Sequence, residues 1–179
     1  MTSQVSIEYE LNSEEAEVLW GLYDASFDDL NLASPCMQRA WNHEEFIAGM
    51  SDPSVTKAVL RDGETAEMLA ISIYSSNLDL FPWVSQRFYE KNYVRQYSEG
   101  VIFYTVTTLS LNKRMGHMKK IMNVMTSDVG QRRGMVIFDL CETLTAIDWQ
   151  ERVRDAANEV MPCTLEEVGM QRYFVIRAE

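Results

Sequence analysis

The chain has 179 residues, 46% of them hydrophobic, and carries a formal charge of −11. That length and apolar content fit a domain with a substantial core and exclude a disordered chain. The acidic balance argues against a general nucleic-acid binder, whose phosphate contacts need a basic face; it permits a cationic acceptor such as an amine, and it serves solubility equally well.

Four prolines and eight glycines leave little material for a linker, so one domain over residues 1–179 is expected. Cys36, Cys141 and Cys163 are few and widely spaced. This points to reduced thiols in a cytoplasmic setting rather than to a disulfide frame, and with two histidines no metal cluster is expected. No apolar run reaches bilayer length, and no basic segment leads into an apolar one at the start, so neither a membrane span nor a secretory leader is expected.

Val5–Leu11 alternates apolar and polar residues, as a half-buried strand does. Asn12 or Ser13 can cap a helix from Ser13 to about Asp29, with Val18, Leu19, Leu22, Tyr23 and Phe27 at helical spacing. A loop containing Pro35 follows. His43–Met50 reads as a short helix capped by Asn42 and ended by Asp52-Pro53. Val55–Leu60 and Ala66–Tyr74 read as strands, with Asp62-Gly63 as the hairpin signal between them.

Residues 77–100 form a long polar and aromatic segment. Tyr89, Tyr93 and Tyr97 fall on one helical stripe, joined by Trp83 and Phe88. The segment suits a lid or acceptor pocket together with the Ala33–Trp41 loop, and suits equally a satellite core under a long connection. Val101–Leu111 is the clearest strand in the chain. Met115–Arg132 is a predicted helix with Met118, Ile121, Met122, Met125 and Val129 on one stripe, and Gly134 marks its stop. Met135–Leu140 reads as a buried strand, Ile147–Val160 as an amphipathic helix, and Leu165–Val168 and Tyr173–Ile176 as short final strands.

The stretch TLSLNKRMGHMKKIMNVM, Thr108 to Met125, joins the clearest strand to the methionine-rich helix. A helix start exposes unpaired backbone N–H groups, here from Arg114 to Met118. Lys113, Arg114, His117, Lys119 and Lys120 surround them, so the junction suits an anion such as a pyrophosphate. His117 fits either a phosphate contact or an exposed helix position.

The order β-α-α-β-β-insert-β-α-β-α-β-β, with this junction, resembles the GCN5-related N-acetyltransferase (GNAT) family. The family's loop motif is Arg or Gln, two residues, Gly, one residue, then Gly or Ala. It falls on Lys113-Arg114-Met115-Gly116-His117-Met118, where Gly116 matches outright and Met118 replaces the small last residue. The resemblance implies an α/β (α+β) fold. The expected sheet is mixed, mostly antiparallel, with six to seven strands, about four helices, and fourth and fifth strands that splay apart.

It also implies acetyl-coenzyme A as cofactor. Leu109 would polarise the thioester through its N–H, and Leu109, Ser110 and Leu111 would pair with the pantetheine arm. Lys113, Arg114, Met115, Gly116, His117, Met118 and Lys119 would take the pyrophosphate. Glu99 and Glu142 lie near the ends of the two splayed strands and are the candidate catalytic carboxylates. The final helix lacks the tyrosine acid common in the family. The expected activity is acetyl transfer to an amine of a small molecule or peptide, with a homodimer through the aromatic insert as one possible assembly. The alternative is the same fold kept as a binding or regulatory module.

Overall fold

The computed structural model describes residues 3–33, 41–111, 115–139 and 149–169. Five strands form one sheet in the order β1 (Ser3–Glu8), β2 (Val55–Asp62), β3 (Met68–Ser75), β4 (Ile102–Ser110), β5 (Met135–Ile137). The first four pair antiparallel and β4 pairs parallel with β5. The mixed, mostly antiparallel sheet is the one expected, with fewer strands among the described residues than six to seven. Leu165–Val168 is not a strand: it joins no sheet among the described residues, and Leu165 and Val168 are exposed. Tyr173–Ile176 lies outside the described residues.

Six α-helices are described: α1 (Ser13–Ala33), α2 (His43–Ser51), α3 (Gln86–Asn92), α4 (Val94–Ser98), α5 (Met115–Gln131) and α6 (Trp149–Asn158). The excess over four comes from the insert, which folds into a 3-10 turn at Leu78–Leu80 and the short pair α3 and α4. Both Asn caps read from sequence form. Asn12 Oδ1 accepts from Glu15 N at 2.9 Å, and Asn42 forms a reciprocal box with Glu45.

Alternation along the strands separates two cores. On one face Val59, Ile71, Ile73, Ile102 and Tyr104 meet Leu19 and Tyr23 of α1, Phe46 and Met50 of α2, and Phe81 of the insert. On the other, Ala58, Leu60, Ala70, Tyr74 and Phe103 meet Ile121, Met125 and Val129 of α5. The methionine stripe therefore packs on the sheet, as a flexible apolar filler does. The insert is part of the first core: Phe81 and Tyr89 are buried, and Tyr93 and Tyr97 pack against them.

Two turns use an unexpected residue. In the β2–β3 hairpin the left-handed conformation falls on Ala66 (φ 60°), not Gly63. Asp62 Oδ1 accepts from the amides of Glu64 and Thr65 and widens the turn. At the end of α5, Arg133 (φ 53°) holds the left-handed position. Its N–H donates to Gly130 O at 2.9 Å and that of Gly134 to Val129 O at 3.0 Å, a double cap in which Gly134 is the second residue.

Candidate functional site

The rungs between β4 and β5 are Ile102–Met135, Phe103–Val136 and Tyr104–Ile137. β4 then runs on through Thr105 to Ser110 with no strand beside it on that side among the described residues. The pairing of the two strands ends at Tyr104–Ile137 among the described residues.

A bulge marks the parting. The β3–β4 register steps from Tyr74–Thr105 to Ile73–Thr107, so Val106 is the extra residue on β4. A bulge bends its strand and raises the local twist. It also shifts the side-chain phase by one. Before it Ile102, Tyr104 and Val106 face the first core. After it Leu109 and Leu111 do, while the Thr108 hydroxyl meets Ser72 on the α5 side at 3.0 Å.

This register decides which backbone groups face the opening. Leu111 N–H donates to Leu69 O at 3.0 Å. In an antiparallel ladder the direction alternates, so Leu109, paired with Ile71, also turns its amide to β3. The amides of Thr108 and Ser110 turn to the open side. The amides of Leu109 and Leu111, expected from sequence to face the opening, are thus spent inside the sheet, and the outward ones are those of Thr108 and Ser110. Ser110 Oγ is buried and has no hydrogen-bond partner.

At the C-terminal end of β4, α5 begins. Gly116 is exposed, and a Cβ built on it meets nothing within 4 Å among the described residues. Met118 is half-buried, one turn ahead of the buried pair Ile121 and Met122. Of the expected cations, Lys119 is taken by Glu159 of α6 at 2.6 Å, and Lys120 donates to Ser3 Oγ at 2.9 Å. Lys119 therefore turns to a protein carboxylate and not to the junction. His117 is half-buried on the first turn. Lys113 and Arg114 lie outside the described residues, as do Glu142, Cys141 and the side chain of Met115.

Glu99 is not brought to the opening. It ends α4, pairs with Arg95 at 3.8 Å and precedes the Gly100 turn into β4. That is the closed end of the strand, on the order of 30 Å of extended chain from Ser110. A cavity of about 280 Å³ lies there, beside Gly100 and Ile102, and a second of about 420 Å³ lies between α3 and Glu166–Val168; neither is lined by the open edge.

Where the strands part, an aromatic and acidic group gathers instead. The Tyr104 hydroxyl donates to Asp139 Oδ1 at 2.6 Å. Phe81 packs on Tyr104 with ring centroids 4.6 Å apart, and Trp83 meets it edge-on at 6.0 Å. Burial, then the Asp139 charge and hydrogen bond, hold the Tyr104 hydroxyl far above the ordinary tyrosine range. Burial, the Tyr93 hydroxyl and Asp139 push Tyr89 in the same direction. Asp139 had no signal in sequence. It lies 35 residues from Tyr104, inside the run that periodicity reads as a strand to Leu140 but two residues past the observed end of β5.

No protein-family model matches the chain, and no curated protein matches it significantly. Among solved structures, it is similar to a ribosomal-protein-alanine N-acetyltransferase from Brucella melitensis biovar Abortus 2308. The identity is 10% and the TM-score 0.48, over 96% of this chain and 100% of that one. It is also similar to an aminoglycoside acetyltransferase from an uncultured soil metagenomic sample, solved in complex with sisomicin. Here the identity is 11% and the TM-score 0.49, over 97% of this chain and 96% of that one.

Proposed function

We propose that this chain is an acyl-coenzyme A-dependent N-acyltransferase, with acetyl-coenzyme A as donor and an amine as acceptor. One observation carries the reading: β4 outruns β5 and leaves the outward amides of Thr108 and Ser110 beside a helix start. An extended amide-bearing arm pairs with such an edge as an added strand does. The element order and the parted strands resemble the GNAT arrangement.

The residues present fit that cofactor. The open edge offers two aligned N–H donors, Ser110 Oγ is a buried polar atom with no partner among the described residues, and there is room for a side chain at Gly116. The first-turn amides from Gly116 to Met118 favour an anion by orientation and dipole. The cofactor supplies an activated thioester. An outward β4 amide can hydrogen-bond its carbonyl oxygen as negative charge develops there. The overall exchange is balanced: the amine loses one proton, an N–C bond forms, the C–S bond breaks, and the thiolate takes a proton.

Isothermal titration with acetyl-coenzyme A tests this. At a cofactor concentration a hundredfold above Kd, stability rises by about 2.7 kcal/mol and the melting midpoint follows. No heat and no midpoint shift at millimolar cofactor reject it.

A further inference from the structure

Asp139 and Trp83 are both exposed, and both contact the buried Tyr104, Asp139 through its hydroxyl and Trp83 through its ring. Trp83 keeps 45% of its surface open, although its neighbours Phe81 and Tyr104 are almost wholly buried. The hydroxyl's bond to Asp139 and the ring's edge-on contact with Trp83 bring a carboxylate and an indole to the same tyrosine. They stand just past the last rung of β5, where the opening begins.

This carboxylate has no cation of its own among the described residues. Asp139 bonds the Tyr104 hydroxyl, which occupies Oδ1. The other charges acting on Tyr104 and Tyr89 come from tyrosines, and none is basic. Other described carboxylates do hold a basic partner: Glu8 and Glu15 share Arg61, Asp128 has Arg132 and Glu159 has Lys119. A lone carboxylate beside an open indole is suited to a cation brought by a ligand, through an ion pair on one side and the ring quadrupole on the other.

We propose that Asp139 and Trp83 form the acceptor's ammonium site, with Tyr104 as the residue that positions both. The acceptor class is an organic ammonium whose body is apolar and bears no carboxylate near the nitrogen. An acidic group there would meet Asp139 without a compensating cation. The assignment rests on the acyl-transfer reading only for what happens to the amine after it binds.

The test uses the whole chain labelled with nitrogen-15, first without any coenzyme. The Trp83 indole resonance, identified by its loss in Trp83→Phe, is followed during titration with n-butylammonium, n-butanol and butyrate at constant ionic strength. Saturable shifts are expected for the ammonium alone, with at least a tenfold weaker Kd in Asp139→Asn and recovery in Asp139→Glu. Equal binding of butanol or butyrate by the wild type overturns the site without recourse to any variant. So does an unchanged Kd in folded Asp139→Asn. Thiol release from acetyl-coenzyme A with the same amines separates the two claims. Asp139-dependent binding without transfer to any amine removes the reaction and leaves the cation site. Transfer with an amine KM indifferent to Asp139→Asn removes the site and leaves the reaction.

Discussion

The Tyr104 hydroxyl reaches Asp139 at 2.6 Å across the two strands where their backbone pairing ends. A side-chain bond thus continues the contact between β4 and β5 by one step past the ladder. Tyr104→Phe removes it while keeping the ring and its contacts with Phe81 and Trp83. The expected cost is about 1 kcal/mol, read by urea unfolding.

The alkaline limb reports the same burial. Tyr74, buried and bonded to Asp128 at 2.9 Å, is raised above the ordinary tyrosine range, as Tyr104 is. An acid whose folded pKa lies above its unfolded value near 10 leaves the unfolded state favoured as pH climbs past about 10. Ultraviolet titration is therefore expected to show two of the eight tyrosines ionising only as the fold opens. The double variant Tyr74→Phe, Tyr104→Phe removes that late step. A single titration covering all tyrosines near pH 10 contradicts it.

The β4 register makes the open edge testable by proline. Ser110 turns its N–H outward, so Ser110→Pro keeps the β3 ladder and the fold. It abolishes the heat of acetyl-coenzyme A binding, by the removal of one donor and by the ring's bulk. Leu109→Pro removes a ladder bond and is expected to cost about 3 kcal/mol or more. Equal loss of stability in both variants contradicts the assigned register.

Lys57 is wholly buried on β2, and its Nζ donates to Tyr9 O at 2.7 Å and Asp52 O at 2.9 Å. Burial lowers its pKa to about 8, against the pull of Asp52 and Glu10. The unfolded chain holds this proton more tightly, up to about pH 10.4, so between those values the unfolded state binds more protons and this group's contribution to stability grows with pH. Lys57→Met leaves two carbonyls without donors, for a cost of about 1–3 kcal/mol at pH 7. The gap between wild type and variant is expected to widen from pH 8 to pH 10 in chemical denaturation. A gap that narrows over that window refutes the argument.

Backbone strain predicts gains as well. Arg133 and Ala66 sit in the left-handed region, which glycine enters freely. Arg133→Gly and Ala66→Gly are each expected to stabilise by up to about 1 kcal/mol in the melting curve. Gly134→Ala goes the other way. Its Cβ would lie 2.7 Å from the Val101 carbonyl oxygen and 3.0 Å from Phe103, at the start of the β4–β5 pairing. A loss of about 2 kcal/mol is expected.

The local signals in this chain were legible. Asn12 and Asn42 capped the helices their positions announced, α5 buried the stripe of Ile121, Met125 and Val129, and β1 to β5 fell where apolar alternation placed them. Each depends on neighbours within a turn or a pleat, which one sequence displays directly. The strand near Leu165 was misread for the same reason, since a short segment needs a partner strand that its own residues cannot announce.

Sequence by itself determined the elements, their order and the glycine-bearing junction at Gly116. Tertiary structure alone decided which amides face the opening, because Val106 bulges only against β3 and the bulge reverses the phase of everything after it. It alone brought Asp139 to Tyr104 and left Glu99 at the far end. Hydrogen-bond register and side-chain juxtaposition are properties of paired segments distant in the chain, and no local spacing encodes them.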